Sequence, residues 1–442
     1  MSNAAKTTNL QFARFFVPLA LQAASQSLTY PLVATVASRG PGGTLNLAGL
    51  SQASQFMFLL GTLGMGLVTT GMVYGKFSKG YNRFRVTCYS LAAITILMQT
   101  FCSIPEISHF IFGVIMGVPS SIETPARAAF FCSIPLHLLF FLRTPYQVVL
   151  YNNKATARAS GATLGRIIIT AGLAPIFCHF NLVGPRWAVM CQTLPVCLEV
   201  LVSYYFAYPF IKNIEKSTGT VPKLKEMFLF TLPLSMGYLF LSLSGFMIAA
   251  FISRAPFPER MLPAYYLAIG LANPMAYGAT RIQSVVIAFS TPSAKYNTAL
   301  GFAAMAGLIS GLIPVIFTIP CLAKIYYVLI QNLPVTDLQI VKQTALVFIG
   351  FPMSVAIRAQ CEGVAACLKK PITVLAGQAV YLGTVATIGF LTLSTGFPGN
   401  LIGPIAIISG NIASTFTMRM ALQWEKQTEI PVPQTRISHV HR

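Results

Sequence analysis

Long apolar runs recur along the whole chain, too many and too long to be gathered into one core facing water. Cut at clusters of charge, proline and glycine, they give twelve candidate spans. These lie at about 10 to 36, 45 to 75, 83 to 104, 123 to 151, 157 to 180, 186 to 211, 224 to 253, 260 to 290, 297 to 320, 338 to 367, 371 to 395 and 400 to 424. Each is near or above the ~20 residues that bilayer hydrocarbon requires of a helix. In lipid the backbone must satisfy its own polar groups, so the fold class predicted is an all-α polytopic membrane protein. Charge agrees, since only 9% of the 442 residues are charged, against roughly 25% in a soluble domain. Residues 10 to 36 exceed the apolar core of a cleavable signal and are interrupted by Gln22, Gln26 and Ser27, so they are expected to remain as the first span. The stretch Ile107 to Val118 is too short to span and is read as a loop element.

The formal net charge of +20 brings nucleic acid to mind, but the cations sit between apolar runs or singly inside them, with no basic stripe bearing interleaved aromatics. Nucleic-acid binding is not expected. Under the twelve-span reading, seventeen cations fall in the loops of one side, among them Lys76, Lys79, Lys154, Lys223, Lys369 and Lys370, while the other side holds Arg39, Arg186, Arg254, Arg260 and Lys324. By the positive-inside rule the first side, with both termini, is cytoplasmic in a plasma or inner membrane. The tail at 426–442, with Pro431 and Pro433, is expected to be disordered.

An internal repeat organises the spans. Pro18-Leu19 and Pro233-Leu234 are 215 residues apart, as are Ser38-Arg39 and Ser253-Arg254. The same offset pairs Arg127 with Lys342, Arg143 with Arg358, Gln147 with Glu362 and Lys154 with Lys369. Polar residues are sparse in these runs, so the matches point to two six-span lobes, 1–215 and 216–425, joined near Ser217. Six is even, so both lobes enter the membrane from one side and form parallel repeats about an axis along the membrane normal. Carriers bind substrate in the cleft between such lobes.

The charges inside spans are the candidates for chemistry, because a cation at mid-bilayer costs at least ~2.5 kcal/mol and needs a partner or a wet cavity. Arg143 precedes Lys154 by 11 residues, about 16 Å of helix, too deep for easy snorkelling, and Arg358 precedes Lys369 by the same interval. Glu362 follows Arg358 by one turn and shares its face, whereas Arg143 has the uncharged Gln147 there. Two readings of this pair stand. The arginines either bridge helices through backbone carbonyls and lipid headgroups, or line the cleft and meet an anionic substrate with their fork of donors. Arg281 lies on span 8 with Gln283 two residues on, so one of the two, not both, faces the cleft. Arg166, whose repeat mate is Tyr381, and Glu199 read as helix-packing residues. The expected substrate-binding set is Arg143, Gln147, Arg281, Gln283, Arg358 and Glu362.

Other chemistry finds little support. A membrane-embedded enzyme would need paired catalytic residues, and His137 stands without an accompanying acid. The nine cysteines include no CxxC pair, and no zinc or phosphate-loop pattern occurs, so neither a metal nor a cofactor is expected. Glycines at Gly61, Gly64, Gly66, Gly301, Gly307 and Gly311 mark close helix packing or bending. A proton- or sodium-coupled exporter of cationic drugs would need carboxylates in its cavity, and span 1 has none. The partners expected are membrane lipids, an anionic small molecule and a coupling ion of unassigned identity, around a monomer.

Twelve spans in two parallel halves resemble the multidrug, oligosaccharidyl-lipid and polysaccharide (MOP, MATE-like) exporter superfamily. Within it, the chain is similar to the progressive ankylosis (ANK) family. The likeness is carried by Arg14-Phe-Phe-Val-Pro-Leu19, Ala128-Ala-Phe130 through Pro135, Ala276-Tyr-Gly278 with Ala288-Phe289, and Pro352 through Arg358 to Leu368-Lys-Lys370. The resemblance implies a secondary transporter that exports an anion of the pyrophosphate, polycarboxylate or nucleotide class by alternating access. It carries over Arg358 and the Lys369-Lys370 pair residue by residue. Where the family pattern leads one to expect acids, this chain has Gln22 and Gln26 in span 1 and Thr280-Arg281-Ile282-Gln283 in span 8, which leaves substrate and coupling ion open. A cation-drug antiporter of the same fold and a lipid-linked sugar flippase remain the alternatives.

Overall fold

The computed structural model describes residues 9–26, 29–116, 118–216, 221–289, 299–331 and 333–428. Among them every regular element is helical. The chain runs through α1 (Asn9–Gln26), α2 (Thr29–Ser38), α3 (Thr44–Met65), α4 (Leu67–Tyr74), α5 (Ser78–Cys102) and α6 (Pro105–His109), which continues as a π-helix Phe110–Ile115. There follow α7 (Ser120–Cys132), α8 (Ile134–Asn152), α9 (Thr156–His179), α10 (Pro185–Lys212), α11 (Leu224–Ile252), α12 (Pro258–Ala279) and α13 (Ile282–Phe289). The chain closes with α14 (Leu300–Leu312), α15 (Pro320–Ala323) with a π-helix Lys324–Ile330, α16 (Leu338–Val347), α17 (Gly350–Cys367), α18 (Pro371–Ser394) and α19 (Gly399–Thr428).

Ten helical stretches among the described residues are long and apolar enough to cross a membrane, several of them joining two helices across a kink. Large apolar side chains such as Leu97, Ile168, Tyr205 and Ile372 stand exposed on the helices, a surface that only lipid would cover. This is a multi-pass membrane protein. Two of the twelve expected spans fall short of the criterion for physical reasons. At 10 to 36, α1 carries Gln11, Arg14, Gln22 and Gln26, which dilute its apolar character, and α2 is only ten residues long. At 260 to 290 the helix parts at Thr280–Arg281 into α12, 22 residues long but diluted by Glu259, Arg260, Asn273 and three prolines, and the eight-residue α13. The short stretch near Ile107 forms the helical piece Pro105–Ile115, and a second piece, Pro320–Leu329, lies where sequence reading placed a span end and a loop. The helix α19 runs to Thr428, past the boundary drawn at 425. The junction near Ser217, Lys6, Lys295 and the tail from 429 onward lie outside the described residues.

Element boundaries recur at the 215-residue offset. Leu67–Tyr74 recurs as Ile282–Phe289, and Thr156–His179 as Pro371–Ser394, while α8 and α17 end at Asn152 and Cys367. Both turns that follow α8 and α17 close alike. The Lys154 and Ala155 amides donate to Tyr151 and Leu150 carbonyls, and those of Lys369 and Lys370 to Ala366 and Ala365. Lys154 and Lys369 take left-handed φ values of 56° and 57°, the strained cap conformation of a helix end. Even the π-turns match, with Met116 donating to Ile111 and Gln331 to Tyr326.

Contacts between the two parts of the chain gather at the cation-rich end, and they too are reciprocal. Tyr74 on α4 packs edge-on against Phe230 on α11 at 5.2 Å, and Phe289 on α13 packs edge-on against Phe15 on α1 at 5.5 Å. The Lys154 ammonium lies 4.2 Å from the Phe289 ring centre, and that of Lys369 lies 4.7 Å from the Tyr74 ring centre. Lys369 also pairs with Glu226 at 3.6 Å. Deeper in, Thr70 and Thr231 share a 2.7 Å hydrogen bond and Ser235 donates to the Leu63 carbonyl at 2.8 Å. Gly66 sits at this crossing, where a Cβ would fall 2.7 Å from the Thr231 carbonyl oxygen, so only glycine fits. Gly64, Gly307 and Gly311 are likewise crowded by neighbouring helices, whereas Gly301 faces open space.

Candidate functional site

Buried polar side chains in lipid must find partners, and in the first part of the chain they do so around Glu199 of α10. Arg143 of α8 donates from Nη1 to Oε1 and Oε2 of Glu199 at 2.8 and 3.0 Å. Arg166 of α9 brings Nε within 3.4 Å of Oε2, an ion pair without hydrogen-bond geometry. Thr163, one turn before Arg166 on α9, donates to Oε1 at 2.5 Å. Gln22 of α1 donates to Thr163 at 2.8 Å and accepts from the Tyr151 hydroxyl at 3.2 Å. One carboxylate with no exposed side-chain surface therefore answers two guanidiniums and links four helices. Sequence reading left Arg143 without a carboxylate, because Glu199 is 56 residues away on another helix; the spacing within one helix holds no signal of it.

The second part uses the same frame with the acid moved. Arg358 of α17 donates to Gln378 of α18 at 2.9 Å and stands 3.2 Å from Glu362, one turn on. Gln378 donates in turn to Glu362. Its repeat mate is Thr163, and both serve the local carboxylate. Tyr381, in the place of Arg166, lies with its ring centre 5.8 Å from the Arg358 guanidinium and shares a hydrogen bond with Ser244 at 3.2 Å. Gln147, in the place of Glu362, is buried, and its Nε2 has no hydrogen-bond partner among the described residues.

Arg281 occupies the break between α12 and α13. It is half-buried, and among the described residues no carboxylate pairs with it and its Nε has no hydrogen-bond partner. Two tyrosines share it as a charged neighbour. Tyr151 feels Arg281 together with Arg143 and Glu199, and Tyr238 on α11 feels Arg281 together with Arg358 and Glu362. Gln283, by contrast, is buried, and its carbonyl packs against Gly363 of α17. The Nε atoms of Arg143 and Arg358 are buried without partners as well. Four buried or half-buried arginines thus face two carboxylates. The arrangement can receive negative charge and hydrogen-bond acceptors.

Several other polar groups of the helices find local partners. Glu123 at the rim binds His109 at 2.8 Å and Arg127 at 3.3 Å, and Asp337 at the same end binds Arg260 at 2.8 Å. The His137 ring bonds through Nδ1 to Gln99 at 2.8 Å, and Gln99 donates to Ser133 at 2.8 Å, a packing role. Sequence reading did not single out Thr163, Tyr151, Tyr238 or Gln378. Applying the 215 offset to Thr163 points to Gln378, but the tyrosines carry no periodic signal of their own.

No protein-family model matches the chain, and no curated protein matches it. Solved structures do. A MOP superfamily transporter from Pyrococcus furiosus, for which the reverse polarity of the binding pocket suggests a different function, is similar with a TM-score of 0.73 at 14% identity over 95% of this chain and 96% of that one. A multidrug resistance MATE family transporter of the MOP superfamily in its outward-facing conformation gives 0.72 at 17% over 95% and 97%. The eukaryotic MATE transporter AtDTX14 gives 0.73 at 14% over 95% and 96%. At such identities the likeness shows the fold, and the fold is that of MATE and MOP superfamily transporters.

Proposed function

We propose that this protein is a secondary carrier that moves an anionic small metabolite, of the pyrophosphate, polycarboxylate or nucleotide class, by alternating access between two six-span lobes. The observation that carries the reading is the excess of guanidinium over carboxylate inside the membrane. Among the described residues, Arg143, Arg166 and Arg358 share only Glu199 and Glu362, Arg281 pairs with neither, and the Nε of all four has no hydrogen-bond partner. Such charge is expensive in lipid unless a mobile anion joins it. A cation-drug antiporter of the same fold would require the opposite balance, and for one structural neighbour the reverse polarity of the binding pocket suggests a different function. Parallel lobes about an axis along the membrane normal agree with the reciprocal contacts at the cation-rich end, which the positive-inside rule assigns to the cytoplasm. The likeness to the ANK family favours export.

Uptake into proteoliposomes, screened with pyrophosphate, citrate, ATP and a cationic dye, tests the reading. At least one of the three anions is expected to accumulate. Transport of the dye alone would overturn it.

A further inference from the structure

Arg143 and Arg358 are each held by a carboxylate of their own part of the chain, so an incoming anion must compete for them. Arg281 is held by none among the described residues. Its position in the repeat sharpens the contrast. The residue 215 earlier is Gly66, which breaks α3 from α4 as Arg281 breaks α12 from α13. At Gly66 the break is packed shut against Thr231 and Ser235, without room for a methyl group. At the equivalent break the chain carries instead a long, half-buried cation that no carboxylate pairs among the described residues. Tyr238 is half-buried, and Tyr277, one turn before Arg281, is exposed. A half-buried cation at a helix break, with no carboxylate partner among the described residues, is poorly explained by packing, which would have selected glycine here as it did at Gly66.

We propose that Arg281 is the primary anchor of the transported anion, binding an oxyanion group, carboxylate or phosphate, at the break between α12 and α13 on the side of Tyr238, while Arg143 and Arg358 are secondary contacts recruited from Glu199 and Glu362. The inference rests on the carrier reading above and assigns the residue that reading leaves open. Because Arg281 has no structural partner to lose, its neutralisation removes ligand affinity without removing stability.

The test is direct binding to the full-length protein in detergent, with citrate and inorganic pyrophosphate as separate probes, read by calorimetry and by the ligand-dependent rise in melting temperature. Arg281→Gln is expected to weaken the bound probe by about tenfold or more, since a charge-assisted fork is lost. Arg281→Lys should retain part of the affinity and Tyr238→Phe should cost a smaller factor, while Arg143→Gln should weaken binding less than Arg281→Gln does. Which of the two probes binds identifies the oxyanion. Ligand-free Arg281→Gln is expected to melt at or above the wild-type temperature. Wild-type affinity in Arg281→Gln, or a ligand-free variant that melts well below wild type, overturns the proposal while leaving the carrier reading intact. A wild-type protein that binds neither probe and transports only the dye removes the carrier reading and this assignment together.

Discussion

Glu199 compensates two guanidiniums with one carboxylate, so the consequences of removing either side are unequal. In Glu199→Gln, Arg143 and Arg166 remain buried beside each other without an acid, and breaking a buried ion pair of this kind costs about 3–5 kcal/mol. A markedly lower melting temperature and extracted yield are expected. Arg143→Gln should be milder, because Glu199 keeps Arg166 and the Thr163 hydroxyl; equal melting temperatures for Glu199→Gln and wild type would contradict this account. On the other side, Arg358→Ala strands Glu362 and Gln378, and the double change with Glu362→Gln should recover yield without recovering anion transport. Arg358→Lys keeps the charge but loses the planar fork, so partial transport is expected. Normal transport by well-folded Arg143→Ala and Arg358→Ala proteins would take both residues out of the site. The sequence exposed these residues because a charge in an apolar run is conspicuous. It could not expose their partners: Glu362 was visible one turn from Arg358, whereas the Glu199 contact depends on how α8, α9 and α10 pack.

The reciprocal clasps belong to the scale of elements. Lys154 and Lys369 both emerge from left-handed caps that end α8 and α17, and each reaches the aromatic residue ending α13 or α4 across the interface. Such contacts are worth about 0.5–1 kcal/mol each where exposed. Loss of both should therefore shift the balance between closed and open forms of this end by roughly five- to thirtyfold. The expected result for Lys154→Ala with Lys369→Ala is faster thiol labelling of a cysteine placed at Thr231, which the closed end shields. Either single change should give a smaller and comparable increase, as the repeat demands. Gly66→Ala should act more strongly in the same direction, since its methyl would meet the Thr231 carbonyl. Unchanged labelling in the double lysine variant would show that the clasps do not hold the end shut. Much of this level was legible in advance: spans 2 to 7 and 9 to 12 fall within a few residues of the helical stretches, because apolar length and flanking charge determine them. The Pro320–Leu329 piece, repeat mate of the one at Pro105, is not visible in the sequence, since a ten-residue apolar run next to a span reads as its continuation. The break at Thr280–Arg281 was also hidden, because a lone polar pair does not interrupt a hydropathy pattern.

At the scale of the whole molecule, charge distribution and contact distribution name the same end. The loops rich in lysine are those whose helices meet across the interface, through Tyr74, Lys154, Glu226, Phe289 and Lys369, and the positive-inside rule would put that packed end at the cytoplasm. On the proposed carrier reading, alternating access would require a cleft reached from the other side in this state. Tyr277, with 57% of its surface exposed on α12 near Arg281, offers a reporter. A cysteine at Tyr277 should be labelled by a membrane-impermeant thiol reagent added outside intact cells, and a saturating anion should slow that labelling. Introducing Lys154→Ala with Lys369→Ala should lower the external rate and raise the rate from the cytoplasmic side in inverted vesicles. Cysteines near Gly42 and Glu259 should label from outside in every background, and those near Lys79 and Lys223 from inside. Reversal of the loop pattern would sink the orientation. A correct loop pattern with Tyr277→Cys labelled only from the cytoplasm would mean that the lysine-rich end is the open one, and that the clasps stand at the mouth of the cleft instead of at its floor.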